Sequence, residues 1–244
     1  MRGPVQEAGM GLTTHWSQIE QLRGDAAAET WRWFIDRYRE FVTVALRRLI
    51  WTPARAADAS EEFWGYLFQS GAVERMQQPM HFRGFLMSTV RNYALHWMRR
   101  NPRPASAAVD GRVDEASRCL LEDEEVALWA RQVLHLALQR LDREQSRWGW
   151  MLRVFYGLPA TVDGETRPPQ RASDIAAELG CTANALHQLL FRARQRLREC
   201  VVEEVRQTVS TRQDLTAELA LLLTALGRSS PGIVAARPMG PEEP

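Results

Sequence analysis

The stretch FRGFLMSTVRNYALHWMRRNPR, residues 82–103, decides the reading of this chain. Its apolar residues fall at Phe82, Phe85, Leu86, Thr89, Val90, Tyr93 and Trp97, a spacing of three and four that marks one buried face of a helix. Its charges are one-sided: Arg83, Arg91, Arg99, Arg100 and Arg103, with no Asp or Glu. A helix that packs on one side and shows arginines and the amides of Asn92 and Asn101 on the other suits a polyanion. The plainer alternative is a solvated basic face on an ordinary bundle helix.

The helical period continues on both sides. Trp31, Phe34, Ile35, Tyr38, Phe41, Val42, Ala45, Leu46 and Leu49 form one broad stripe that Pro53 ends. A second helix is expected from about Asp58 through Phe63, Trp64, Leu67 and Phe68, with Gly71 as its C-terminal cap. A short helical segment is expected around 73–76. Pro102 and Pro104 stop the arginine-rich helix. Residues 104 to about 120 are small, polar and acidic, the composition of a flexible linker. Seven acids lie between Asp110 and Glu125 against Arg112 and Arg118, whereas 182–198 carries four arginines and no acid. Two basic segments thus flank an acidic connector, which can repel DNA or cover a basic face.

A second helical set is expected from near Glu122. Val126, Trp129, Val133, Leu134, Leu136, Ala137 and Leu141 give one helix; Trp148, Met151, Leu152 and Phe155 give another. A Pro- and Gly-rich loop spans 157–171. Then Ser173–Leu179 reads as a short helix opened by Ser/Asp capping, Gly180 as a tight turn, and Thr182 as the N-cap of a helix carrying Leu186, Leu190, Ala193 and Leu197 on one face. Helix, glycine turn and a helix with a basic end form a helix-turn-helix pattern. That last helix is expected to run on through Val209. Leu215, Leu219, Leu222 and Leu226 build one more, closed by Gly227, before a Pro- and Gly-rich tail expected to be disordered. The fold class is all-α: two helical domains joined by a flexible acidic linker, with a helical C-terminal extension.

The bulk numbers exclude more than they assert. The 244 residues carry a formal net charge of only +1 and 45% hydrophobic content, so a sizeable core is possible and the charge pattern matters more than its total. All 31 basic residues are Arg, consistent with a GC-rich coding bias. Cys119, Cys181 and Cys200 lie far apart with no ligand spacing, so neither zinc nor a disulfide framework is expected. No apolar run reaches membrane-spanning length and no signal-peptide core opens the chain, which points to the cytoplasm. No nucleotide loop, carboxylate pair or nucleophile–base signature is present, so no enzyme activity and no cofactor are expected.

In order and spacing these pieces resemble the extracytoplasmic-function sigma factors of bacterial RNA polymerase, over roughly residues 25 to 204. Ala57-Asp58-Ala59-Ser60-Glu61-Glu62-Phe63-Trp64 is similar to the segment that docks on the polymerase clamp helices. Phe82-Arg83-Gly84-Phe85-Leu86, Arg91-Asn92-Tyr93-Ala94-Leu95 and Arg99-Arg100 resemble the helix that melts and reads the −10 element. Ser173-Asp174-Ile175-Ala176, Leu179-Gly180, Arg192-Ala193-Arg194 and Leu197 resemble the helix-turn-helix that reads −35. The resemblance implies an N-terminal segment over 1–24, sigma domain two over 25–103, a linker over 104–121, sigma domain four over 122–204 and an extension over 205–244. It also implies a promoter-specificity subunit with core RNA polymerase, through its clamp helices and flap, and promoter DNA as partners, and an anti-sigma protein as a further class of partner. Departures are Glu61 for a usual Gln, His96 for a usual Asp, His187 for a usual Lys, apolar Leu189 and Phe191, and a longer 157–171 loop.

Residue roles follow from the resemblance and the side-chain chemistry together. Asp58, Glu61 and Glu62 are the candidates for polymerase contact. Arg83, Arg91, Arg99 and Arg100 are the phosphate candidates at −10, Asn92 a base-edge reader, and His96 either a DNA contact or a surface residue. Trp97 reads as core rather than as a base-stacking wedge. Asn184, His187, Gln188 and Arg192 share the exposed side of the recognition helix. Asn and Gln suit adenine, and Arg192 suits guanine or phosphate. Arg194, with Arg196 and Arg198, is a phosphate contact or solvated. Leu189 and Phe191 either touch thymine methyls or pack under another element. The extension is expected to fold back near them or on the first domain, restraining promoter binding until polymerase engages. The competing readings are a helix-turn-helix regulator that needs no polymerase and a non-DNA adaptor on a sigma scaffold.

Overall fold

A computed structural model of the chain describes residue 22 and residues 28–50, 52–73, 82–102 and 115–229, with the side chains of 115–122 and 229 excepted. Among these residues every regular element is an α-helix, as the periodicity requires. Helix α1 (Ala28–Leu49) buries Phe34, Tyr38, Phe41, Val42, Val44, Ala45 and Leu46. Pro53 does more than end it. It opens α2 (Pro53–Gln69) as the first helical residue, a position where its missing N–H costs no hydrogen bond. The expected start at Asp58 is therefore five residues late. Gly71, at φ 60°, follows the cap residue Ser70 and turns the chain out of α2. The short helix expected at 73–76 lies, apart from Val73 in a turn, outside the described residues.

Helix α3 (Phe82–Arg100) buries the whole expected apolar face, with Met87 and Ala94 added. Residues 103–114, most of the expected linker, lie outside the described residues. Helix α4 (Glu115–Glu144) begins seven residues before the expected start at Glu122. The physical reason is in its first residues: Glu115 to Glu125 holds no Pro or Gly and several strong helix formers.

Helices α5 (Trp148–Tyr156), α6 (Ala172–Leu179), α7 (Ala183–Arg206) and α8 (Arg212–Ser229) complete the chain. Three local expectations are corrected. Arg171, not a Ser/Asp pair, is the N-cap of α6, and it makes no side-chain cap bond; Ser173 sits within the helix and donates to Asp174 Oδ1 at 3.1 Å. Helix α7 stops at Arg206, so Val209 is buried in the following turn rather than on the helix. Helix α8 runs through Gly227 to Ser229, since one glycine near a helix end costs only about 1 kcal/mol.

The core does not divide at the expected joint. One continuous cluster of buried side chains runs from α1, α2 and α3 into α4 to α8. Trp129 of α4 is at its centre. The indole stacks on Tyr38 of α1 at 6.3 Å and meets Phe41 edge-on at 5.3 Å and Phe82 of α3 at 6.1 Å. Polar ties accompany it. Gln132 donates to the Arg37 carbonyl at 2.8 Å, the Val162 N–H to Glu40 Oε1 at 2.5 Å, and the Phe82 N–H to the Thr208 carbonyl at 3.1 Å. The Arg37 guanidinium pairs with Glu204 of α7, both side chains being nearly buried. Helix α8 lies along α4 and buries Leu222, Ala225 and Leu226. No helix among the described residues is long and apolar enough to cross a membrane.

Candidate nucleic-acid interface

Two exposed surfaces carry the sequence-derived candidates. The first is the outward side of α3. Burial of Phe82, Phe85, Leu86, Val90, Tyr93 and Trp97 fixes its rotation. Tyr93 anchors it further, its hydroxyl donating to the Ala59 carbonyl of α2 at 2.9 Å. Burial holds that phenol well above its usual pKa, so it stays a donor. Opposite this face, Arg91, Asn92, Leu95, His96, Arg99 and Arg100 are exposed. His96 stacks on Tyr66 of α2 at 6.1 Å. Trp97 is core, and the Arg55 guanidinium caps its ring at 5.2 Å. Leu95, 50% exposed in the middle of this basic face, belongs to the quoted motif but is given no role by the sequence pattern. It falls off the three-and-four stripe, and that offset is the signal that could have found it.

The arginines of α3 are not equivalent. Arg83 is mostly covered and donates twice to Glu218 of α8, Nε to Oε1 at 2.8 Å and Nη2 to Oε2 at 3.2 Å. Arg91 pairs with Glu125 of α4. Arg100 meets Glu62 of α2 at 3.1 Å. Arg99 has no ionic partner among the described residues. Asp58, Glu61 and Glu62, the acids proposed for polymerase contact, are all exposed on α2, and of the three Glu62 is the one bonded to an α3 arginine.

The second surface is the α6–turn–α7 unit. Ile175 and Ala176 of α6 and Leu186, Leu190, Ala193 and Leu197 of α7 are buried. Gly180 takes φ 65°, the left-handed conformation that lets the chain reverse between the helices. The Thr182 hydroxyl accepts from the Ala185 N–H at 3.2 Å, the cap expected there. Replacing Thr182 by alanine should cost about 1 kcal/mol, a thermal midpoint lower by about 3 °C on circular dichroism. An unchanged midpoint would show that the cap does not hold in solution.

Asn184, His187, Gln188 and Arg192 are exposed along α7, together on its outward side. Arg194 is half-buried and donates back to the Leu190 carbonyl at 3.0 Å. Phe191 is 54% exposed, so the extension does not cover it; Leu189 is half-buried against the core. Arg196 is structural: it donates to both oxygens of Glu144 of α4, at 2.6 and 2.8 Å, and to Glu199 at 2.7 Å. The Arg196 bonds, with help from Arg140, pull the Glu144 carboxyl down to about 2. A depressed carboxyl contributes stability above its unfolded value and loses it as pH falls toward the folded one. Acid unfolding between about pH 4.5 and 2 should therefore flatten in Glu144→Gln, by about 1 kcal/mol or less because the pair is partly solvent-screened. Identical acid profiles for the two proteins would contradict it.

No protein-family model matches the chain, and no curated protein matches it.

Proposed function

We propose that this chain is a promoter-specificity subunit of bacterial RNA polymerase, acting in the cytoplasm without covalent chemistry of its own. The observation that carries the reading is the outward side of α3. Arg91, Asn92, Leu95, His96, Arg99 and Arg100 lie there with no acid contributed by that helix. Such a face gives an unpaired strand phosphate contacts, a base-edge amide and an apolar patch together. The capped α6–α7 unit supports the second half of the reading. Asn184, His187, Gln188 and Arg192 enter a major groove at −35, with Arg194 toward the backbone. Asp58 and Glu61 offer carboxylates to a basic surface of core polymerase. In functional terms residues 25–103 act as the −10 unit and 122–204 as the −35 unit, joined across 104–121.

The test is association with core RNA polymerase. The full chain should comigrate with core enzyme on size exclusion, and Asp58→Arg with Glu61→Arg should weaken this at least about tenfold. A second reading, a helix-turn-helix regulator that needs no polymerase, is favoured by the continuous core around Trp129. It predicts no comigration, and tight binding of the free chain to duplex DNA.

A further inference from the structure

The acids that hold the α3 arginines come from elsewhere in the chain. Glu218 belongs to the C-terminal extension and Glu125 to the end of the acidic connector. Each presents a carboxylate to an arginine that is a phosphate candidate from the sequence: Glu218 to the mostly covered Arg83, and Glu125 to Arg91 on the outward side of α3. Glu218 takes Arg83 in a two-bond fork, the geometry that guanidinium also uses for phosphate. We propose that Glu218 and Glu125 are internal phosphate mimics: in the free chain they occupy the single-strand site on α3, and DNA must displace them. This deepens the reading of α3 as a nucleic-acid face and rests on it.

The two ion pairs differ in what displacement costs. Glu125 is 15% exposed and its partner Arg91 46% exposed, so some water can reach the carboxylate when Arg91 leaves. Glu218 is only 5% exposed. A phosphate that took Arg83 would leave a buried carboxylate without its partner, an arrangement that is strongly destabilising. Helix α8 therefore has to move when Arg83 is engaged. The neighbouring tie, from the Phe82 N–H to the Thr208 carbonyl in the turn before α8, would break with it. The extension is thus a restraint set by charge, and its release is coupled to strand binding rather than to a separate signal. Truncation is a poor test, because removing α8 uncovers the core around Leu222 and Leu226. Removing charge while keeping shape is the better one.

The experiment uses the full chain and its Glu218→Gln, Glu125→Gln and double variants, with a fluorescein-labelled random-sequence single-stranded 20-mer as probe. Helicity and melting are checked first, and Glu125→Gln, at the less buried of the two acids, serves if Glu218→Gln is poorly folded. The double variant should bind several-fold to about tenfold more tightly at low salt. Its plot of log affinity against log salt should steepen by about 0.7 for each arginine released. Amide exchange in 212–229 of the wild-type chain should quicken when the probe is added. Equal affinity and equal salt slope in wild type and double variant would overturn the mimicry while leaving the DNA reading standing. No binding by any of them, together with no association with core polymerase, would overturn the DNA reading and the mimicry with it.

Discussion

Replacing Trp129 by alanine is expected to cost about 3–5 kcal/mol of unfolding free energy. The indole is 1% exposed and touches Tyr38, Phe41 and Phe82, which come from two other helices. Its loss removes apolar burial and leaves a cavity that helices from both halves of the chain would have to collapse into. One compensation is small. The indole N–H has no hydrogen-bond partner among the described residues, so no satisfied polar group is lost with it. Trp129→Phe, which keeps most of the ring packing, should therefore cost much less. At about 2–4 °C per kcal/mol, alanine should lower the thermal midpoint by about 10 °C. A cost below about 1 kcal/mol would mean that the two halves do not pack around this residue in solution.

The second large effect is expected at Arg37. Its side chain is 12% exposed and pairs with Glu204, 5% exposed, across the same junction. The guanidinium also lies over the Trp33 and Tyr38 rings, at 5.5 and 5.8 Å. Arg37→Met keeps the apolar stem and the packing but strands the Glu204 carboxylate. Arg140 Nη1, 3.9 Å away, compensates only in part. The cost should be about 3 kcal/mol by denaturant unfolding. The double variant Arg37→Met with Glu204→Met should recover most of it, because a buried pair replaced by apolar groups is close to neutral. If the double variant is no more stable than Arg37→Met, the ion pair is not what the single substitution breaks.

What is legible in the sequence is local. The stripe 82, 85, 86, 90, 93, 97 is a period, and period alone places Trp97 in the core. Gly180 and Thr182 are single-residue chemistry, a left-handed turn and a hydroxyl cap, and both are found where the sequence puts them. Sequence and structure part where one residue has two uses. Pro53 reads as a stop, yet proline suits the first turn of the helix it opens. Ser173 has capping chemistry, but the helix starts one residue before it. The covering of Arg83 and Arg91 is beyond local reading. Their partners lie 135 and 34 residues away, and nothing in a charge count says which acid meets which arginine. The acidic connector does announce that a basic face could be covered. Leu95 escapes a period-based reading because such a reading seeks apolar residues that agree with the buried face, and this one disagrees.

The measurement that tests the central claim most directly is transcription by bacterial core RNA polymerase on a library of promoter fragments, with and without the chain. Initiation at a shared subset of fragments should require the chain. It should fall about a hundredfold when Arg91 and Asn92 are both alanine, the scale expected for removing one base-edge hydrogen bond and one phosphate pairing at once. Initiation that is the same with and without the chain, or that is indifferent to those two substitutions, would contradict the account.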